Sequence, residues 1–493
     1  MKKIILTLLI CISLSLGAKE KTLYTKDLIR LVSENNSSVQ ISAAGTQLAK
    51  SIYDQTIKSA RPGIFFSTDT FSSPLYGYNN NTTFGITPIT ESHTVSAGIT
   101  VEQLLPTGGT ASLALSDSLV YERSSSNDPW ELSQDPGLEF SLFQPVLVNG
   151  SFIDFSAMKN TKRSSQIPYE VSRISNMDTR NQTINAVISE VHRINVLRKS
   201  RDIMEKGIAL AKLKAEMARE DRDRGRISTS DLISIELDVG RQHEILFDLG
   251  YQLTLAEMNL GRMLGIEDVS GISFNLSSDS MGIRDSGGKA VEKDFNPGVL
   301  KASLDVEQKE IRMSLNNLKN APLLNVFFQT GPRYPEPRDD SADISSSLTD
   351  LFSSEADIDL SFGFSVQMNL WDGGVTKSRK EADQLAIGIA RQKLEDASSE
   401  AKGKIKALNY RIKLLNEKET LLNANIEYDT KLLQREIDRQ KIGSSTNVDV
   451  ETVRMEVLSI ERDLLDVKGQ QYITFLQIKA LQGKNVSDFI LNN

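Results

Sequence analysis

Among residues whose type and spacing could do chemistry, two carboxylates stand apart. Asp231 and Asp449 each lie six residues after a glycine, in Gly225-Arg-Ile-Ser-Thr-Ser-Asp231 and Gly443-Ser-Ser-Thr-Asn-Val-Asp449, at an offset of 218. A carboxylate near the start of a returning helix suits the positive end of the helix dipole. The rest of the chain is poor in reactive groups. His93, His192 and His243 are far apart and give no metal-ligand spacing, and Cys11 is the one cysteine. Disulfides, thiol nucleophiles and cysteine metal sites are therefore excluded from a chain cut beyond it. Gly282 to Lys289 imitates a phosphate loop, but Ile283 stands where glycine is required and Ala290 follows the lysine, so no Mg²⁺-binding hydroxyl is present. Segment 336–359 carries Glu336, Asp339, Asp340, Asp343, Asp350, Glu355, Asp357 and Asp359. It lacks calcium-loop ligand spacing and reads as a solvated external loop. No nucleophile, base and orienter fall together, so no enzyme, cofactor or metal site is expected.

The N-terminus reads as an export signal: basic Lys2 and Lys3, an apolar run from Ile4 to Leu16, and small Ser15 and Gly17 before a cut after residue 17. A lipid-modified Cys11 is the weaker reading, because Ile10 occupies the place of a small residue. The 493-residue chain has a net charge of −8, and removing the two leader lysines leaves −10. An acidic exported chain is a poor nucleic-acid binder. No later segment has the ~20 apolar residues of a membrane helix. Any crossing of a membrane must be made by strands.

Strand patterns occur in two blocks. Ile358, Leu360, Phe362, Phe364, Val366, Met368 and Leu370 alternate with polar or small residues, as a strand with one apolar face requires. Val95, Ala97, Ile99 and Val101 repeat the pattern, as do Ala111, Leu113 and Leu115, with a hairpin signal at Pro106-Thr-Gly-Gly109 between them. Two readings fit such strands: a soluble sandwich, or a transmembrane barrel of apolar-out, polar-in strands. Helical patterns fill most of the remainder. No proline falls in 169–296 or 338–493. Long helices are expected over 152–220 and 375–440, each reaching about 100 Å. Each is followed by a 3.5-residue apolar seam: Leu232, Ile235, Val239, Gln242, Leu246, Leu249, Leu253, Ala256, Leu260 and Met263, then Val450, Val453, Val457, Ile460, Leu464 and Val467. A second row (Met455, Leu458, Leu465) predicts neighbours on two sides of a helix.

The chain repeats itself. Pro62 and Pro322 each end a helix and open a strand. Gln-Pro-Val-Leu-Val-Asn149-Gly150 parallels Gln-Met-Asn-Leu-Trp-Asp372-Gly373, and Gly265 and Gly483 close the two copies. We read a signal peptide over 1–17 and a first repeat over 18–265, with strands at about 64–147 and a helical hairpin over 151–265. A linker follows over 266–295. The second repeat covers 296–493, with strands at about 324–371 and a hairpin over 374–483. Pro62 to Gly150 is 37 residues longer than Pro322 to Gly373, enough for one extra hairpin and hence four strands against two.

This duplicated order, with its Gln-Pro-x-Leu-x-Asn-Gly strand exit and Gly-x-x-x-x-x-Asp turn, resembles the TolC-like outer-membrane efflux proteins. The resemblance implies an α+β membrane protein, a trimeric channel-tunnel. Its homotrimer would share one transmembrane β-barrel in outer-membrane lipid and one long periplasmic α-helical barrel. It implies a passive exit duct, opening at its helix tips, that serves a periplasmic adaptor protein and an inner-membrane transporter. It also implies four strands per protomer, where the residue count here indicates six. By resemblance Asp449, Asp231 and Thr452 are candidates for the pore constriction, three copies of Asp449 forming an acidic ring. Thr452 stands where the family has a second acidic residue, Ser445 where it has an arginine and Gln440 where it has a tyrosine. Arg222, Arg224, Gly225, Arg226, Lys441 and Gly443 are adaptor-contact candidates, with a solvated helix end and simple turn glycines as the plainer reading. Trp130 and Trp371 are candidates for the membrane interface or for packing. The rival function is an exported coiled-coil structural or adhesion protein with a soluble β head.

Overall fold

The computed structural model describes residues 21–74, 91–123, 129–148, 151–152, 156–276, 296–319, 323–333, 338–339, 357–367 and 371–492. The leader, the 282–289 segment, Asn149-Gly150, Pro322 and nearly all of the acidic loop lie outside them. In chain order the elements begin with β1 (Lys21–Tyr24), α1 (Thr25–Asn35), α2 (Ser37–Lys58), β2 (Gly63–Pro74), β3 (Glu91–Leu104), β4 (Thr110–Arg123), β5 (Glu131–Val148), β6 (Ser151–Phe152), α3 (Ser156–Asp223) and α4 (Thr229–Leu264). They continue with β7 (Ile272–Asn275), α5 (Pro297–Lys319), β8 (Leu323–Arg333), β9 (Arg338–Asp339), β10 (Asp357–Gln367), α6 (Val375–Lys441), α7 (Asn447–Leu481) and α8 (Val486–Asn492). Helix, strands, long helix, tight turn and shorter helix thus occur twice.

The chain divides into two units that cut across the repeats. One takes Met1–Thr46, Val171–Ser303 and Lys393–Asn493, the other Gln47–Glu170 and Leu304–Gln392.

The second unit holds the large sheet, in the order β10-β8-β5-β4-β3-β2, with the two-residue β6 and β9 paired to β5. All its pairings are antiparallel. The β3–β4 hairpin turns at Pro106–Gly109, where Leu105 N–H donates to Gly109 O (2.8 Å). Register places Ile64 opposite Val101, Val101 opposite Leu113 and Leu113 opposite Phe140. The apolar residues of successive strands therefore share one face. Ile358, Leu360, Phe362, Phe364 and Val366 lie on β10, paired to β8, and are 63–78% exposed. In the same unit Arg163 forks onto Glu307 (2.6 and 2.8 Å) and reaches Glu170 (2.8 Å), tying α3 to α5.

The first unit carries the main core, built by Leu28, Ile29 and Val32 of α1, Ile184, Val187, Ile188, Val191 and Ile194 of α3, Ala256 and Leu260 of α4, and Tyr472 and Leu476 of α7. The ten seam positions predicted on α4 are all buried or half-buried. The segment expected to be a plain linker is not without structure: Ile272–Asn275 pair in parallel with Lys21–Tyr24, because alternating Ile272 and Phe274 bury one side of that short strand. Neither strand was expected from the sequence. Likewise Ser151 and Phe152 pair back onto β5, so the first long helix starts at 156 rather than 151. Asn181, 1% exposed, donates to Lys484 O (2.9 Å) and accepts from Val486 N–H (3.0 Å), fastening α8 to α3. Asn181→Ala removes both bonds and leaves buried backbone groups unmatched, a loss of about 1–3 kcal/mol. A lowered melting temperature of the purified protein in detergent would register it.

Candidate functional site

Both helical turns are built alike. α3 ends where Gly225 takes φ 74°, with Gly225 N–H donating to Arg222 O (2.8 Å) and Arg226 N–H to Asp221 O (2.7 Å). α6 ends where Gly443 takes φ 75°, with Gly443 N–H donating to Gln440 O (3.0 Å) and Ser444 N–H to Arg439 O (2.9 Å). This pair of bonds closes a helix through a left-handed residue, which glycine adopts without penalty. Each returning helix then opens on a capping box. The Ser228 hydroxyl donates to Asp231 Oδ2 (2.7 Å) and the Asp231 N–H donates to Ser228 Oγ (3.1 Å). Thr446 and Asp449 repeat the exchange at 2.7 and 3.2 Å. The two aspartates are thus helix-end residues, both exposed. The Ser228 hydroxyl and N–H hold the Asp231 carboxyl below the usual carboxylate range. The Thr446 hydroxyl and N–H, helped by Ser445, do the same for Asp449. The boxes were legible as Ser228-x-x-Asp231 and Thr446-x-x-Asp449, a signal the sequence reading passed over.

A residue the sequence reading missed sits behind the second turn. Glu436 is 8% exposed, accepts from Ser445 Oγ (3.0 Å) and from Arg439 Nη1 (3.0 Å), and Arg439 Nη2 also reaches Ser444 O (3.3 Å). Ser445 in turn donates to Asp449 (3.4 Å). Thr452, half-buried, donates its hydroxyl to Val448 O (2.7 Å) within α7. At the first turn the arginines are locally paired: Arg222 with Asp223 (2.6 Å), Arg224 with Glu220 (3.3 Å), Arg226 with Asp221 (3.2 Å). Lys441 pairs with Asp438 (2.8 Å). These exposed pairs contribute little to stability and leave a mixed-charge surface on both turns.

The helices of this unit pack side by side. Arg219 bonds Glu236 (2.8 Å) and Arg198 bonds Glu257 (2.6 Å), joining α3 to α4. His192 with Asp466 (3.0 Å) and Lys199 with Glu461 (3.4 Å) join α3 to α7. Gln471 donates to Asn416 (3.0 Å) and Glu419 (2.8 Å), joining α7 to α6.

In the other unit Trp130 stacks on Tyr121 (centroids 4.7 Å) and His93 (5.3 Å) at one end of the sheet. Trp371, 85% exposed, follows β10 at the other end. Among the described residues no His, Cys, Asp and Glu cluster could hold a metal, and no helix is long and apolar enough to cross a membrane.

Residues 339–484 match the family model of the outer membrane efflux proteins. That match spans the second half of the second strand region and the second helical hairpin. The fold agrees: the chain is similar to the CmeC outer membrane channel of Campylobacter jejuni (11% identity, TM-score 0.62, covering 95% of this chain and 88% of that one). It is similar also to the outer membrane protein VceC of Vibrio cholerae (11%, 0.61, 94% and 96%) and to CusC (12%, 0.62, 93% and 92%). At such identities the likeness speaks for the fold alone. No curated protein sequence matches the chain. The family match and the shared fold point to the outer membrane, with the long helices in the periplasm.

The capping boxes carry a pH sign. A carboxylate whose folded pKa is depressed adds stability that is complete above the ordinary carboxylate value and is lost as pH falls through the depressed one. The turns therefore stay capped at neutral pH and loosen only in strong acid. Thr446→Ala opens the second box, costing about 1 kcal/mol. Faster hydrogen exchange of residues 447–450, with the core unchanged, is the expected signature.

Proposed function

We propose that this protein is the passive exit duct of a tripartite efflux or type I secretion system. Substrates would enter from an inner-membrane transporter and a periplasmic adaptor protein and leave across the outer membrane. The observation that carries this reading is the exposed apolar face of the six-stranded sheet, which ends in two edges, β2 and β10, without a strand partner among the described residues. In hydrocarbon every unpaired backbone group costs on the order of several kcal/mol, so strands span only as closed barrels. Six is an even number, so β2 and β10 run in opposite directions. The β2 of one copy can therefore pair with the β10 of the next and keep every pairing antiparallel. Three copies then close a barrel of three times six strands, wide enough for an aqueous lumen. Trp130, with Tyr121 and His93, and Trp371 would mark the two rims of its apolar band. A soluble β head would instead present polar side chains where Ile358, Leu360, Phe362 and Phe364 stand.

Asp449, with Thr452 three residues on and Asp231 in the matching cap of the other turn, lines the periplasmic mouth on this reading. Three symmetry copies of Asp449 make a ring that favours cations. The mixed charges of Arg222, Arg224, Arg226 and Lys441 around Gly225 and Gly443 guide the adaptor's approach more than they hold it. The duct supplies no energy, and opening consists of movement of the helix pairs at these turns.

Electron microscopy of the detergent-extracted protein is the test. A three-fold tube with a helical section of about 100 Å is expected, and a particle lacking three-fold symmetry refutes the duct. In planar bilayers, Asp449→Asn is expected to lower the preference for cations over anions. Unchanged selectivity would remove Asp449 from the mouth.

A further inference from the structure

α7 ends at Leu481 and α5 begins at Pro297, and one buried side chain joins the two helix ends. Asn296, 6% exposed, donates from Nδ2 to Leu481 O (2.9 Å), and its Oδ1 accepts from Gly298 N–H (2.9 Å) and Val299 N–H (3.2 Å). A cleft of about 500 Å³ opens beside this joint. It is lined by the joint itself, by Asp178, Gln182 and Asn185 of α3, and by α6 between Ala397 and Leu408. All of these residues belong to the first unit. The volume falls in the range of small-ligand sites, about 300–1,000 Å³.

Part of the lining is apolar and short: Ala397, Ala401, Ala480 and Leu481. The polar part includes two carboxylates, each with a partner of its own. Asp178 accepts from Lys301 Nζ (3.0 Å) and Gln182 Nε2 (3.1 Å), and Glu400 pairs with Lys404. Asn185 differs from both. Its Oδ1 is buried and has no hydrogen-bond partner. A buried amide oxygen without a donor is costly and uncommon in a folded chain. An occupant of the cleft can supply the donor that the chain does not.

The lining also says what the occupant is made of. It needs a donor for Asn185, an apolar body for the alanines and a charge that Asp178 and Glu400 do not repel. The Glu400–Lys404 pair is well exposed, 64% and 58% at the side chains, so Lys404 can yield Glu400 to an incoming cation at little cost. Asp178, by contrast, is held by Lys301 from α5. An ammonium group brings three donors and a positive charge.

We infer that this cleft is a binding site for a small organic ammonium ion, held by Asn185 Oδ1 and the Glu400 carboxylate over the alanine lining. The site is complete within one chain, so it stands or falls separately from the duct proposed above. A ligand there touches α3, α6 and the α7–α5 joint together and braces them.

Benzylammonium, benzyl alcohol and benzoate test this by calorimetric titration of the full chain in lipid nanodiscs, with empty nanodiscs as the blank. Benzylammonium is expected to bind at one site per chain, the alcohol and the benzoate about tenfold or more weaker. Asn185→Ala is expected to weaken benzylammonium by about tenfold, yet to leave the melting temperature of the ligand-free protein unchanged or raised, because it removes an acceptor that had no partner. A lowered melting temperature would make Asn185 a structural residue and overturn its role here. Glu400→Gln is expected to weaken the ammonium severalfold. Ala401→Phe fills the cleft and is expected to abolish binding, with Ala397→Leu as the second filling variant should the first disturb the fold. Alcohol binding as tight as the ammonium overturns the ligand class. Ammonium binding that survives both Asn185→Ala and a filled cleft, or no binding at all, overturns the site.

Discussion

A backbone amide has no partner in hydrocarbon except another backbone group, and most of this architecture answers to that constraint. The sheet turns one apolar face outward across six strands, so its natural surrounding is lipid. Inside the chain every strand between β8 and β3 has both neighbours. The two outer strands do not, and among the described residues a single copy has no spare strand with which to cover them. On the duct reading a ring of copies would resolve the difficulty at no cost in new elements, because the even strand number leaves edges that run oppositely. In such a ring the inserted β3–β4 hairpin would widen the barrel without disturbing its closure, since a hairpin adds strands in pairs.

The helices meet the same problem in water with a different device. A helix satisfies its own backbone except at its ends, so the long hairpins need help only where they turn. There the chain uses a left-handed glycine and a hydroxyl–aspartate box, twice, with nearly the same geometry. The aspartate that caps the helix also sets a negative charge at the tip, so one side chain serves folding and, on the duct reading, permeation. Glu436, drawn under the second turn by Ser445 and Arg439, gives that tip a buried support that no contact among the described residues reproduces at Gly225.

Burial along the helices separates two kinds of apolar row. The seams read on α4 and α7 are covered by the chain itself. The second rows on α4 (Leu237, Phe247, Tyr251 and Met258) and α6 (Tyr410, Leu414, Leu421 and Tyr428) stay exposed, yet they are as regular as the first. Regular apolar exposure of this length is uncommon on a surface meant for water.

Much of this was readable from residue order. Period-two alternation from Ile358 to Val366, the 3.5-residue seam from Leu232 to Met263, the turn glycines and the extra hairpin at Pro106–Gly109 are local patterns, and local patterns follow from the geometry of strand and helix. The short parallel pair β1–β7 was not readable, because four residues carry too little pattern and their partners lie about 250 positions apart. The paired arginines of the first turn and the burial of Glu436 were also out of reach, since both depend on side chains brought together by the fold. By itself the sequence determined the long elements and their duplication, because periodicity is a property of the chain alone. Only the tertiary structure decided which apolar rows are covered and which stay exposed, because burial belongs to the packing of elements and not to any one of them.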